Sequence, residues 1–311
     1  MVDEGWAVDE GRAVRECGPV GEGAMTTARV VLTVAALTLR EAARRRVLLA
    51  LAVLTVLLLA LSAWGFSRLA AESGGSALTS GEARLTASIV LNLVMFGYSL
   101  IAALGTAFLA GPTVAGETES GIALAVLARP IRRSAFLLGK WLGLVVFGSS
   151  FVVLAGLAEC LVVWATVDYW PPQPALALAL LAAQTTVLLT LTVLLATAIS
   201  PMASGVVAVG LFCTTWVAGV VGGVGGALGN EAVARVGSVS RMLLPTDGLW
   251  RGAMNAFQDP SALLSFGEGA EVGAFPFLSG ATLTGSYLGW AALWVVMVWL
   301  LAAGSFVRKD L

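Results

Sequence analysis

The chain has 311 residues, 58% of them hydrophobic and only 12% charged, with a net charge of -1 and a mean hydropathy of +0.91. A soluble domain carries about 25% charged residues, so there is too little polar surface here for a water-facing shell and no basic excess for a nucleic-acid face. Histidine is absent, and Cys17, Cys160 and Cys213 lie far apart, which excludes Ser-His, Cys-His and HExxH chemistry within the chain and leaves no spacing for a metal site or a disulfide framework.

The first 24 residues are acidic, Gly-rich and unpatterned, with no short apolar core before a cleavage site, so they are not a signal peptide. Two origins fit them: a disordered tail, or a gene-model extension with Met25 as the true start. From Thr27 to Arg46 a helical pattern sets Arg29, Thr33, Ala36, Arg40 and Arg44 on a polar stripe away from Val30, Val34 and Leu37. This predicts an amphipathic helix lying on the cytoplasmic leaflet, with Arg44–Arg46 at the headgroups. The simpler alternative is the first turns of a long first span.

A membrane-spanning helix needs about 20 apolar residues. Six stretches meet that length: Val47–Phe66, Ile89–Ala115, Trp141–Val167, Ala175–Ile199, Ala203–Leu228 and Leu283–Val307. The second is over-long and is expected to tilt or bend near Gly105. Ser200-Pro201-Met202 separates the fourth and fifth as a short turn. The fold class predicted is therefore an all-α membrane protein, a bundle of six transmembrane helices. With the N-terminus placed in the cytoplasm, Arg12, Arg15, Arg29, Arg40, Arg44, Arg45, Arg46, Arg129, Arg132, Arg133, Lys140, Arg308 and Lys309 fall on that side, 13 of the 18 basic residues. The bias of Lys and Arg toward the cytoplasm puts both termini inside.

Glu159 is the one ionisable residue inside a span. It lies 18 residues past Trp141, about 27 Å along a helix, which reads as an acid near the outer headgroups with water at hand. Gln184, Thr186, Thr190 and Thr197 lie deeper in the fourth span and read as helix-packing groups. Gly219 and the run Val220–Gly229 that follows it set Gly219/Gly223, Gly222/Gly226 and Gly225/Gly229 four apart, which admits close helix approach within the bundle or between copies; a flexible gate is the alternative. The segment Gly229–Thr282 is too long for a structureless loop. Leu249, Trp250, Ala253 and Phe257 share a helical face there, with Thr246 or Asp247 as cap, so short helices at or dipping into the outer interface are expected.

The richest stretch joins the second and third spans, Gly116–Gly143. Glu117 and Glu119 stand where the second span leaves the membrane, and Gly121 follows. A short apolar helix, Ile122–Ala128, ends at Arg129-Pro130; Arg132, Arg133 and then Gly139-Lys140 lead into the third span. An apolar stripe flanked by charges suits a helix docking into a partner's groove, or an interfacial helix with basic anchors. Gly139-Lys140 is no phosphate loop, because no Gly stands five residues before it.

This stretch resembles the cytoplasmic loop of the type-2 ABC transporter permease family, in its branch similar to the nitrous-oxide reductase maturation permease. The matching positions are Glu117, Glu119, Gly121, Leu124, Leu127, Pro130, Arg133, Gly139 and Lys140; Ala123 and Ala128 depart from the Thr and Ser frequent there. The resemblance covers Met25 to Leu311, residues 25–311 forming one permease domain. It implies that the loop 116–140 is a coupling helix inserting into a separate ATPase subunit, with Glu117, Glu119, Gly121, Leu124, Leu127, Pro130, Arg132, Arg133, Gly139 and Lys140 as the ATPase-coupling residues. It further implies a permease subunit without its own ATPase site, with no cofactor, paired as a homodimer or with a paralogous permease in the inner (plasma) membrane among its lipids, and exporting. The competing readings are a secondary transporter, which needs ionisable groups near the midplane, and a membrane scaffold or assembly factor.

Overall fold

The computed structural model describes residues 27–44, 46–72, 81–119, 133–259, 275–280 and 282–308. Among them the secondary structure is helical throughout, with no strand. The helices are α1 (Thr27–Arg44), α2 (Arg46–Glu72), α3 (Gly81–Glu119), α4 (Arg133–Val167), α5 (Pro174–Ala198), α6 (Pro201–Ala227), α7 (Glu231–Leu243), α8 (Thr246–Phe257) and α9 (Gly285–Arg308). Six of them, α2 to α6 and α9, are long and apolar enough to cross a membrane, and each expected span falls on one of these. The protein is thus an all-α, multi-pass membrane protein. Residues 1–26, which include the N-terminal tail, and the docking stretch 120–132 lie outside the described residues.

Local chemistry sets the helix ends. Pro174 and Pro201 occupy the first turns of α5 and α6, where a missing N–H costs nothing. Pro201 therefore starts α6 instead of sitting mid-turn, and Met202 is already helical. Gly229 has φ +68, a left-handed conformation that glycine adopts without steric cost. It lets the chain fold back at once into α7, whose first turn is capped by Asn230 accepting from Val233 N.

In the second span α3 runs unbroken through Gly105. The open face of Gly105 receives Leu51 of α2. The helix-breaking residue inside α3 is Pro112, which lacks the N–H that would bond Phe108 O. α1 and α2 are separate elements, and α1 lies against α4. A β-carbon at Gly139 would meet Val34 Cβ at 2.7 Å, and one at Gly143 would meet Ala35 O at 2.7 Å. These two glycines, four apart on α4, are what let α1 approach so closely.

The interior is apolar around Leu91, Met95, Tyr98, Leu181 and Trp250 toward one end, and around Leu137, Leu144, Leu189 and Phe306 toward the other. Polar groups of α5 tie helices together: Gln184 accepts from Ser99 Oγ at 2.8 Å, Thr190 from Trp141 Nε1 at 3.0 Å, and Thr197 donates to Ser305 Oγ at 3.1 Å. The helix-packing role expected for these residues is what their partners show. Thr186 bonds Ala182 O of its own helix.

Candidate functional site

Polar groups gather at both ends of the bundle: at the foot of α4, where α1 lies, and at the α7–α8 hairpin at the opposite end, called the cap end below.

At the foot of α4, Arg133 donates from Nη1 to Val307 O at 3.3 Å, a cation set against the C-terminal carbonyls of α9. Lys140 is 4% exposed. Its Nζ donates to Thr113 O of α3 at 3.0 Å and stands 5.2 Å from the centre of the Phe136 ring. Gly139 is buried under α1. The chain entering α4 is thereby joined to α1, α3 and α9 within two helical turns. Glu117 and Glu119 belong to the last turn of α3. Gly121, Leu124, Leu127, Pro130 and Arg132 lie outside the described residues. Of the sequence-derived site, Arg133, Gly139 and Lys140 stand along the first two turns of α4, with Gly139 and Lys140 buried in the bundle.

At the cap end, α7 folds back along α6 and α8 turns into the bundle against α5 and α3. The glycine run is the seat of this hairpin. A β-carbon at Gly222 would come within 2.6 Å of Gly237 Cα, one at Gly225 within 2.6 Å of Val233, and one at Gly219 would overlap the Asp247 carboxylate. So Gly219, Gly222 and Gly225, three apart on α6, admit α7 and Asp247, whereas Gly226 meets nothing within 4 Å. This is packing within the chain.

The end of α7 leaves carbonyls without an intrahelical partner. Three donors on one face of α9 take them: Tyr287 Oη to Arg241 O at 3.0 Å, Trp290 Nε1 to Met242 O at 3.2 Å, and Trp294 Nε1 to Leu243 O at 2.9 Å. The return segment is held by amides: Asn92 and Gln258 both donate to Phe277 O, and Asn255 to Ser279 O. Beneath it Phe96 stacks with Trp216 at 4.6 Å and contacts Trp250 and Phe277. Tyr169 donates to Phe257 O at 2.8 Å. Burial, and then the Asp259 charge, push its phenol above the ordinary tyrosine range.

Sequence reasoning found the α8 face: Leu249, Trp250, Ala253 and Phe257 are all 1% exposed or less. It misread the start of that helix. The N-cap is Pro245, with no side-chain cap bond. Asp247 instead accepts from Arg241 Nε at 3.0 Å and Arg251 Nε at 3.1 Å, and Arg251 Nη2 donates to Gly219 O at 2.8 Å. The i to i+4 spacing of Asp247 and Arg251 was a readable signal; Arg241, across a non-helical turn, was not.

Glu159 also requires correction. It is fully buried, accepting from Ser62 Oγ of α2 and from Tyr98 Oη of α3, the latter at 3.2 Å. The length along α4 was sound, but this side of the helix faces the bundle, and its partners are protein hydroxyls instead of headgroup water.

A sequence model described as ABC-2 family transporter protein matches residues 32–311. Over 137 residues the chain is 34% identical to the "Probable ABC transporter permease protein NosY" of Pseudomonas aeruginosa. That alignment takes in 41% of this chain and 46% of the relative, so the chain spans less than half the length of the curated relative it matches. With nearly the whole described bundle inside the family match, the chain belongs to the ABC-2 family of transporter proteins, as a membrane permease.

Proposed function

We propose that this permease is the membrane-spanning subunit of an ATP-driven exporter in the inner (plasma) membrane, with both termini cytoplasmic, energised by a separate ATPase subunit through the loop 116–140. The observation that carries the reading is the joint at the foot of α4. Lys140 on Thr113 O, Gly139 under α1 and Arg133 on Val307 O tie the exit of this loop to three other helices. A displacement of the loop therefore moves α1, α3, α4 and α9 together.

The residues divide by position. Leu124 and Leu127 are the apolar contacts for a groove on the ATPase. Gly121 and Pro130 bound that short helix, and Arg132 anchors its exit at the headgroups. Glu117 and Glu119 join it to α3, while Arg133, Gly139 and Lys140 pass its motion into the bundle. Two copies, or this chain and a paralogue, surround the path. The permease makes and breaks no bonds; ATP hydrolysis belongs to the partner.

The test is purification of the native protein in mild detergent, with mass spectrometry of what accompanies it. An ATPase chain carrying a phosphate-binding loop is expected in stoichiometric amount. Its absence, from a preparation that retains the six-helix fold, overturns the proposal.

A further inference from the structure

The Arg241–Asp247–Arg251 cluster plays no part in the coupling reading and has an unbalanced charge. Two guanidiniums share one carboxylate. The Asp247 side chain is 1% exposed, Arg251 12% and Arg241 30%. Among the described residues the remaining acid of this hairpin, Glu231, pairs with Arg235 at the far end of α7, and the Tyr287 hydroxyl donates to a carbonyl. The Nη1 and Nη2 groups of Arg241 meet no acceptor among the described residues, while its Nε is fixed on Asp247. An excess charge in a low-dielectric setting calls for a counter-ion.

Depth says where that counter-ion lies. Gly219, whose carbonyl holds Arg251, is 18 residues beyond the first residue of α6. That is about 27 Å along the helix, against a hydrocarbon core of about 30 Å. The cluster thus stands at the edge of the hydrocarbon, where lipid phosphates are. Beside it the outward face of α7 is apolar and exposed at Val236, Val239, Met242 and Leu243, a surface for acyl chains. The tyrosine and two tryptophans of α9 that cap α7 are residues typical of this level.

We propose that Arg241, oriented by Asp247 and supported by Arg251, binds the phosphate of an anionic phospholipid in the leaflet at the cap end. The guanidinium edge left free by Asp247 offers a fork of donors to phosphate oxygens. The net positive charge favours a headgroup with no compensating ammonium.

The experiment uses the full chain in phosphatidylcholine nanodiscs with trace spin-labelled phosphatidylglycerol or spin-labelled phosphatidylcholine. The motionally restricted fraction of each label is read by electron paramagnetic resonance. The wild type should prefer phosphatidylglycerol, and Arg241→Gln should lower that preference about fivefold, one basic residue's contribution at a membrane surface. Arg241→Lys should keep most of it. Asp247→Asn removes the neutralising charge and should raise the preference; it carries the test alone if Arg241→Gln does not fold. Excess inorganic phosphate should leave the restricted fraction in place. An unchanged preference in Arg241→Gln, or no rise in folded Asp247→Asn, overturns the proposal. Displacement by inorganic phosphate would assign the site to a soluble anion and overturns the lipid.

Discussion

Replacing Gly219 with Ala probes the seat of the α7–α8 hairpin. The new β-carbon would fall on the Asp247 carboxylate, with Oδ2, Cγ and Oδ1 as its nearest neighbours. Asp247 is 1% exposed and held by two arginines, so its short side chain cannot turn aside without leaving both. Removing one partner of a buried ion pair costs about 3–5 kcal/mol. Arg241 is 30% exposed and regains water, which favours the lower end, about 3 kcal/mol. Alanine recovers about 1 kcal/mol of helix propensity over glycine, leaving a net loss of about 2 kcal/mol. Gly226, on the same helix, meets nothing within 4 Å, so Gly226→Ala should show only the gain. Unfolding by SDS in mixed micelles, followed by circular dichroism, should therefore move in opposite directions for the two variants. In an Asp247→Ala background the Gly219→Ala cost should largely vanish, a coupling readable in a double-mutant cycle. Equal shifts for the two glycines, or an additive cycle, would refute the reasoning.

In the same assay Glu159→Leu should cost more than Glu159→Gln, since it leaves the buried hydroxyls of Ser62 and Tyr98 without their acceptor at about 1–3 kcal/mol each; equal costs would show that neither hydroxyl depends on Glu159. Glu117→Gln with Glu119→Gln should preserve expression and ATPase binding but reduce both transport and stimulation of ATPase activity by the permease, and full retention of both would reduce these acids to markers of the headgroup boundary. For topology, Arg235→Cys in a Cys-free background should label only from outside, because its side chain is 78% exposed at the cap end; labelling from the cytoplasm would reverse the orientation.

The spans were legible because about 20 apolar residues in a row have few alternatives in water or lipid. The buried face of α8 was legible for a similar reason, its apolar residues recurring at helical spacing. What the sequence withheld was the direction in which polar groups face. Periodicity located Glu159 along α4, but Ser62, 97 residues earlier, leaves no local trace of its partnership. The glycines of α6 announced close approach without naming the visitor, which proved to be α7 of the same chain. Asp247 stood where a helix cap is expected, yet the chain reaches α8 through Pro245, and the carboxylate was drawn instead to two arginines. Gly139 and Lys140 belonged to the loop motif that carries the family resemblance, and nothing local to it told that packing against α1 and α3 buries them.

The central claim is that this permease meets its ATPase through the short helix Ile122–Ala128. Its most direct test is Leu124→Asp with Leu127→Asp, carried through co-purification in mild detergent beside the wild type. Two carboxylates in an apolar docking groove would be desolvated without partners, so the ATPase chain should be lost while membrane insertion, read by Arg235→Cys labelling, is unchanged. Co-purification of the ATPase at the wild-type level by a correctly inserted double variant would contradict the account.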